Sequence, residues 1–227
     1  MSPQKGVLYI VGVPIGNLED ITIRAVKILS KVDLIASEDT RKAGLLLKYH
    51  NIKTPTTSYH DHNKTRKCPQ LISILKKNKS IAIISDAGTP SIADPGYYIV
   101  KEAISNSIPV QPIPGPSAGI TALSISGLPS DKFVFEGFLP KKTSQRKKRL
   151  EELSLESRTI IFYESPHRLV KMLEDLQTHL GTRSLCISRE LTKTFEEILY
   201  TTTQEAIINF TKNKKPKGEF TIVVKGL

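Results

Sequence analysis

Apolar residues in the first half of the chain fall into short runs separated by polar, helix-like stretches. The run over Val7–Val11 is unbroken, as expected for a buried parallel strand. Asp20 is a candidate cap for a helix over Ile21–Ser30, and Asp94-Pro95 is a candidate opening for another helix, with Asp as its cap and Pro in its first turn. This alternation predicts a parallel sheet covered by helices, with strands at Val7–Val11, Leu34–Ala36, Thr57–Tyr59, Ile81–Ile84 and Val110–Ile113.

The segment Pro112–Pro116 is the best domain boundary, because its three prolines cannot continue a helix. Beyond it the apolar runs come closer together, which predicts a mixed sheet. We therefore expect two α/β domains, over residues 1–113 and 117–227. The second domain has predicted strands at Phe133–Glu136, Thr159–Tyr163, Leu185–Arg189, Glu197–Tyr200 and Phe220–Val224, and predicted helices at Gln145–Leu153, Arg168–Leu180 and Gln204–Phe210.

Composition changes this picture mainly through charge. The chain has 33 Lys and Arg against 22 Asp and Glu, a formal net charge of +11, which favours a polyanionic partner. Basic residues crowd the stretch Lys141–Arg149, and a second group comprises Lys212, Lys214, Lys215 and Lys217. The alternative is an ordinary soluble protein that is merely rich in lysine.

Other features of the composition bound the protein class. Hydrophobic residues make up 39% of the 227 residues, which is ordinary globular usage. No apolar run is long enough for a transmembrane helix, and the N-terminus lacks the pattern of a signal peptide. Cys68 and Cys186 stand far apart and form neither a metal-ligand spacing nor a disulfide framework. We expect a cytoplasmic protein.

Three loops rich in small residues follow predicted strands. Gly12–Asn17 matches neither the dinucleotide fingerprint nor the phosphate-binding P-loop. Ser85–Gly96 combines small residues, turn formers and two carboxylates at the carboxyl end of a strand, where open α/β sheets bind ligands. Pro114–Gly119 spans the domain boundary, and clefts between domains are favoured ligand sites. These loops predict a ligand lying against the backbone, although a tight turn, a long connecting loop and a hinge are alternative interpretations.

Three further motifs place charged residues after strands: Ser37–Lys42, Phe162–Arg168 and Ser188–Glu197. Each of them alone is compatible with a solvated loop. Their common position at strand ends favours a shared cleft.

The chain resembles the bacterial small-subunit ribosomal RNA cytidine 2′-O-methyltransferase family, of the tetrapyrrole-methylase superfamily, in six motifs: VGVPIGNLEDIT, SEDTR, SDAGTPSIADPG, PGPSA, FYESPHR and RELTKTFEE. The likeness covers essentially the whole chain, in order. It implies a class III methyltransferase fold of two α/β domains with S-adenosylmethionine in the cleft between them. It also implies a cytidine ribose of 16S ribosomal RNA, within the 30S subunit, as the substrate, and a homodimer.

Matching the family position by position implies a set of cofactor contacts: Pro14, Ile15, Ala87, Gly88, Thr89, Ile92, Ala93, Ser117, Ala118, Tyr163 and Glu190. Thr89 stands where the tetrapyrrole-modifying relatives tend to carry Asp. Longer family members have an extra helical segment after the last strand. This chain ends at Leu227, so we expect RNA or dimer contacts of that segment to be absent or replaced.

Methyl transfer to a ribose hydroxyl requires positioning, and a base or a polarising cation should assist because the hydroxyl is a poor nucleophile. Glu38 and Glu164 are candidate bases and Lys193 is a candidate cation. Other groups stay open as candidates: Asp39, Glu190, His60, His62 and His167. Tyr59–His62 superficially resembles a metal site but has no further ligands at suitable spacing, so we expect no metal.

For the RNA we expect phosphate contacts from basic residues beside the cleft: Arg41, Lys141, Lys142, Arg146, Lys147, Lys148, Arg149 and Arg168. The sequence suggests no acidic partner for the stretch Lys141–Arg149. Two other functions stay open. One is methylation of a small tetrapyrrole with the same fold and cofactor, which the net charge and the Ser85–Gly96 loop disfavour. The other is a non-catalytic RNA-binding protein, which gives no reason for a cofactor-type loop.

Overall fold

A computed structural model describes residues 6–212 and 216–227. The chain divides into two compact units, residues 1–117 and residues 118–227, and each is described by itself. In the described residues, no helix combines the length and the apolarity that crossing a membrane requires.

Unit 1 is built on a five-stranded sheet of order β3-β2-β4-β1-β5, in which every neighbouring pair is parallel. Pro112, which cannot donate to a ladder, lies in β5 at the edge of the sheet, where such a residue is tolerated. The strands are β1 (Leu8–Val11), β2 (Leu34–Ser37), β3 (Thr56–Ser58), β4 (Ile81–Ile84) and β5 (Val110–Ile113), and the helices are α1 (Ile23–Leu29), α2 (Thr40–Tyr49), α3 (Lys64–Lys76) and α4 (Tyr97–Ser105).

Both faces of this sheet are buried. Ala82 and Ile84 of β4 belong to one apolar cluster, while Ile81 and Ile83 belong to another on the opposite face. Side chains alternate between the faces of a strand, so an unbroken apolar strand serves two helix layers at once. The predicted parallel sheet is therefore confirmed, and its strands differ from the predicted ranges by one residue at most.

Two predicted helix caps in unit 1 are wrong. Helix α1 is capped by Thr22, whose hydroxyl accepts a hydrogen bond from Ala25 N, and Asp20 instead ends a short 3-10 helix over Leu18–Asp20. Helix α4 begins at Tyr97 after Gly96, because the chain before it contains left-handed residues at Ser91 and Ala93. Asp94 thus belongs to the preceding loop.

Unit 2 contains a second five-stranded sheet, of order β6-β7-β10-β8-β9. Strands β6 and β7 are parallel and the other pairs are antiparallel, so this sheet is mixed. The strands are β6 (Phe133–Phe138), β7 (Thr159–Glu164), β8 (Ser184–Arg189), β9 (Glu197–Thr202) and β10 (Phe220–Val224), and the helices are α5 (Ala118–Ile125), α6 (Thr143–Leu153), α7 (Leu169–Leu180) and α8 (Thr203–Lys212).

The main core of unit 2 lies on the face covered by α6, α7 and α8. It includes Leu150, Phe162, Leu173 and Ile222. Helix α5 packs on the opposite face, where a Cβ on Gly119 would meet the side chain of Ile161. Helices α2, α3 and α5 were not predicted from the sequence.

The loops that leave β1 and β5 approach each other backbone to backbone at Gly12 and Gly115. A Cβ on Gly12 would lie 2.7 Å from the Cα of Gly115, and a Cβ on Gly115 would lie 2.7 Å from the carbonyl carbon of Gly12. Neither position has room for a side chain, so the carboxyl ends of these neighbouring strands stay together.

The substitution Gly12→Ala should therefore lower the free energy of unfolding by about 1–3 kcal/mol, the usual cost of overpacking. The control is Gly44→Ala within α2, where a Cβ would meet nothing within 4 Å, and where alanine should raise stability by about 0.5–1 kcal/mol. Urea denaturation of both variants makes the comparison. A Gly12→Ala protein as stable as the parent would contradict the close approach.

Candidate active site

Three loops meet at the carboxyl edge of the unit 1 sheet. Val13 and Gly88 exchange backbone hydrogen bonds, Val13 N to Gly88 O at 2.9 Å and Gly88 N to Val13 O at 3.1 Å. The hydroxyl of Thr89 donates to the carbonyl oxygen of Pro116 at 3.1 Å. The loops after β1, β4 and β5 are thus joined to one another, and they bring together the predicted cofactor residues of unit 1.

The loop after β4 has an unusual backbone. Gly88 has φ +76°, and two residues with side chains, Ser91 and Ala93, also have positive φ, at +72° and +63°. Left-handed residues other than glycine cost free energy, and such strain clusters at functional sites. Ser85 supports the start of the loop by donating to the Ala87 carbonyl at 3.0 Å. Ile92 is partly exposed beside these residues.

Carboxylates from β2 and β4 gather near the same loop. Asp86 Oδ1 accepts Asp39 N at 3.0 Å, and Asp86 Oδ2 accepts Lys42 Nζ at 2.8 Å. Burial and the negative charge of Asp86 raise the pKa of Glu38. Burial and the charge of Glu38 raise the pKa of Asp94 to about 6. Glu38 is thus a carboxyl group whose neighbours favour uptake of a proton.

Asp94 was not among the predicted site residues. The Asp-Pro pair predicted a helix cap at this position instead. The signal available was its position in Ser85–Gly96, a segment already singled out for its two carboxylates.

In unit 2, Tyr163 is held from several sides. Its hydroxyl accepts a hydrogen bond from Gly119 N at 2.9 Å, next to the predicted cofactor residue Ala118. Its ring packs edge-to-face against Phe135 and Phe138, with centroid distances of 5.1 and 5.6 Å. Tyr163 and the start of α5 therefore form one structural group.

Glu190 and Lys193 belong to a second polar group of unit 2. Glu190 Oε1 accepts from Lys193 Nζ at 3.0 Å and from Glu219 N at 2.8 Å. Burial acts to raise the pKa of Glu190, but these hydrogen bonds outweigh it and lower the pKa. Lys193 Nζ also contacts Glu219 Oε2 at 3.0 Å. Lys193 is therefore a cation between two carboxylates, which weakens its candidacy as a polarising group.

The structure argues against Glu164 as a base. Its side chain is 0% exposed and lies 3.3 Å from Arg168 Nη2, and it accepts Ser165 N at 2.7 Å. Arg168 Nη2 in turn donates to the carbonyl of Leu139 at 2.9 Å. A buried carboxylate with these partners has no access to a substrate hydroxyl, and Arg168 is bonded to the chain at Leu139.

The sequence profile of the tetrapyrrole (corrin/porphyrin) methylases matches residues 7–207. The chain is 50% identical to ribosomal RNA small subunit methyltransferase I of Halalkalibacterium halodurans over 98% of its length and 76% of that protein. It is 53% identical to the Synechocystis protein of that name, over 97% of the chain and 79% of the relative. For the Thermotoga maritima protein of that name, identity is 48% over 97% of the chain and 99% of the relative.

The chain belongs to the ribosomal RNA small subunit methyltransferase I family, among the tetrapyrrole methylases. This confirms the resemblance that the six motifs indicated. Family membership makes the chain a methyltransferase.

Solved structures show the same fold at low sequence identity. A cobalamin biosynthetic enzyme, cobalt precorrin-4 methyltransferase, matches with a TM-score of 0.72 at 15% identity, over 96% of the chain and 94% of that structure. A uroporphyrin-III C-methyltransferase from Thermus thermophilus, complexed with S-adenyl homocysteine, matches with a TM-score of 0.66 at 16% identity, over 96% of the chain and 97% of that structure. The predicted α/β methyltransferase fold is confirmed.

Carboxylates of unit 2 pair with three arginines of the predicted RNA-binding group: Arg146, Arg149 and Arg168. Arg146 is buried, and its Nε donates to Asp175 Oδ2 at 2.7 Å with both side chains at most 7% exposed. Arg149 is paired with Glu136 at 2.7 Å and with Glu152 at 2.9 Å. The expectation that this stretch meets no acidic partner is wrong, because the partners come from β6, from a later turn of α6 and from α7.

The exposed basic residues of the predicted RNA-binding group differ in whether they form an ion pair. Arg41 is exposed but pairs with Asp39 at 2.7 Å. In residues 6–212 and 216–227, no ion pair involves the exposed lysines of this stretch: Lys141, Lys142, Lys147 and Lys148. Lys214 and Lys215 of the second basic group lie outside the described residues.

The histidines that follow β3, His60 and His62, lie beside each other and beside Asn63. His60 Nε2 lies 3.1 Å from the side-chain nitrogen of Asn63, and the rings of His60 and His62 are 6.0 Å apart. Across the described part of the chain, no group of three or more His, Cys, Asp or Glu could hold a metal. That the enzyme uses no metal stays a prediction.

Arg146→Ala should lower the free energy of unfolding by about 3–5 kcal/mol, because it leaves the buried Asp175 carboxylate without its main partner. Lys147→Ala, on the exposed neighbouring position, should change stability by less than about 0.5 kcal/mol. Urea denaturation of the two variants tests the assignment. Equal unfolding free energies for the two variants would contradict a buried ion pair at Arg146.

Proposed function

We propose that this protein transfers a methyl group from S-adenosylmethionine to the 2′-hydroxyl of a cytidine ribose in small-subunit ribosomal RNA. The observation that carries the proposal is the identity of about half of all residues, over nearly the full chain, with several bacterial proteins named ribosomal RNA small subunit methyltransferase I. The fold neighbour complexed with S-adenyl homocysteine supports the choice of cofactor.

The loops of unit 1 suit a cofactor that approaches the backbone closely. A Cβ at Gly88 would occupy the space between Ile15 and the Pro116 carbonyl, at 3.4 and 3.6 Å, so the glycine leaves a cradle open. We assign cofactor contacts in unit 1 to Pro14, Ile15, Ala87, Gly88, Thr89, Ile92, Ala93 and Ser117, and in unit 2 to Ala118, Tyr163 and Glu190. A cofactor cleft between the domains stays a prediction.

When bound, the cofactor supplies an electrophilic methyl group on sulfur. The chain must orient the ribose oxygen towards that group and accept the proton that the hydroxyl loses. Glu38 is the best candidate acceptor, because it is partly exposed and its raised pKa makes it a stronger base than an ordinary carboxylate. Asp94 is the next candidate for the same reason. Positioning contributes the larger share of such a rate enhancement.

The polyanionic substrate accounts for the net charge of +11. We further propose that the enzyme is a cytoplasmic homodimer that acts on RNA within the 30S subunit. Methylation of a tetrapyrrole has weaker support, because the solved tetrapyrrole methyltransferases are only 15–18% identical and speak for the fold alone.

The direct test incubates the purified protein with S-adenosylmethionine labelled on its methyl group and small subunits that lack the modification. Label should enter the RNA, and the backbone beyond the labelled nucleotide should resist alkaline hydrolysis, because a methylated 2′ oxygen cannot attack the phosphate. Uroporphyrinogen III should accept no label in a parallel reaction. Label in the tetrapyrrole alone, or on a base of the RNA, would refute the proposal.

RNA affinity should depend on the four exposed lysines of the β6–α6 region. Changing Lys141, Lys142, Lys147 and Lys148 together to Ala should weaken subunit binding at least tenfold and flatten its salt dependence by roughly 0.7–0.9 in log–log slope per lost phosphate contact. Cofactor affinity measured by calorimetry should not change.

The matched control changes four exposed lysines of unit 1 to Ala: Lys27, Lys31, Lys48 and Lys53. It removes the same net charge, so it separates a local contact from general attraction. If both quadruple variants lose the same affinity and slope, the β6–α6 lysines act only through net charge.

A further inference from the structure

Strand β6 carries a β-bulge that changes the direction of Phe138. Phe135 pairs with Ile161, but Gly137 pairs with Phe162 and Phe138 with Tyr163, so the register shifts by one residue between Phe135 and Gly137. Gly137 has φ +67°, a conformation that glycine adopts at bulges. Regular pairing would have put Phe138 opposite Glu164, on the face covered by α6–α8. The bulge puts it on the other face.

Phe138 is exposed as a result. Phe138 is 56% exposed, although the next residue, Leu139, is buried in the unit 2 core. The ring contacts Tyr163 edge-to-face at an interplanar angle of 66°, and that contact covers only part of it. A bulge interrupts the ladder and is commonly retained where it re-aims a side chain. Here the re-aimed residue is a large aromatic that faces solvent.

The chain after Phe138 forms a basic turn, residues 139–142, whose carbonyl groups accept hydrogen bonds from two arginines. Arg168 donates to the Leu139 carbonyl at 2.9 Å, and Arg146 donates to the Lys141 carbonyl at 3.2 Å. These guanidinium groups are themselves held by the buried carboxylates of Glu164 and Asp175.

The anchored backbone leaves the side chains of Lys141 and Lys142 in solvent. An exposed aromatic thus precedes two exposed cations on a backbone that accepts hydrogen bonds from Arg146 and Arg168. The hydrogen bonds from Arg146 and Arg168 thus hold the backbone of this turn in position.

We propose that Phe138 is a stacking platform for an unpaired nucleobase of the substrate RNA, with Lys141 and Lys142 at the adjacent phosphates. The inference rests on the proposed function and deepens it by naming single-stranded RNA as the occupant of this surface. Aromatic side chains next to cations are typical of single-strand binding, in which bases stack and phosphates meet Lys or Arg. Duplex RNA keeps its bases stacked on one another and would have no use for Phe138.

The test measures methyl transfer to unmodified small subunits for three variants: Phe138→Ala, Phe138→Leu and Phe138→Trp. Phe138→Ala should raise the KM for subunits about tenfold or more, which corresponds to about 1.4 kcal/mol and lies within the range for stacking on one base. Phe138→Leu keeps apolar bulk without a π face and should lose nearly as much. Phe138→Trp should stay within about threefold of the parent.

Two further measurements separate stacking from other roles. Calorimetry with S-adenosylmethionine should give the parental affinity for all three variants, and light scattering should give the parental oligomeric state. The matched control is Tyr49→Ala, at a 53% exposed aromatic in unit 1, which should leave the KM for subunits unchanged. If Phe138→Ala fails to fold, comparison of the Trp and Leu variants tests whether Phe138 stacks on a base.

Each contrary outcome has a distinct meaning. A parental enzyme that places no methyl group on the RNA overturns the proposed function itself. With the parental enzyme active, full activity of Phe138→Leu overturns stacking. A loss of cofactor affinity assigns Phe138 to the cofactor site, directly or through Tyr163, and a changed oligomeric state identifies it as a contact between copies of the chain; either result also overturns the proposal.

Discussion

The side-chain-free contact between Gly12 and Gly115 sets the geometry of the unit 1 loops. Two backbones can approach this closely only where neither residue carries a Cβ. With the loops after β1 and β5 in contact, the backbone pair between Val13 and Gly88 adds the loop after β4. The candidate cofactor residues of unit 1 are therefore placed mainly by main-chain contacts, which exchange of surface side chains does not disturb.

Most strands could be predicted from the sequence, because burial of a strand leaves an apolar run, as in β4, β7 and β10. The helices α2 and α3 were less readable. Helix α2 contains Gly44 and α3 contains Pro69, residues of low helix propensity, and packing against the sheet overrides this local cost. The cap of α1 was misplaced by two residues, from Thr22 to Asp20, because both residue types cap helices.

The candidate site was predictable at the level of motifs but not of individual side chains. Loops at strand ends were located from their small residues and carboxylates, since those features are local in sequence. Partners that lie far apart in the sequence could not be predicted in this way. Arg146 reads as one of six clustered cations, yet its partner Asp175 lies in another helix. Within this stretch the arginines form ion pairs and the lysines stay in solvent, in keeping with the planar guanidinium's fit to carboxylates and the stronger hydration of an ammonium group.

The left-handed conformations of Ser91 and Ala93 have an evolutionary consequence. A loop that stores strain lowers the stability of the whole unit, so the surrounding core must supply the surplus that keeps the protein folded. Selection for thermal tolerance alone would relax this loop, for example by admitting glycine at either position. Such a protein would gain stability while its loop lost its preferred shape. Persistence of side chains at these positions would thus mark a loop selected for its shape rather than for its contribution to folding.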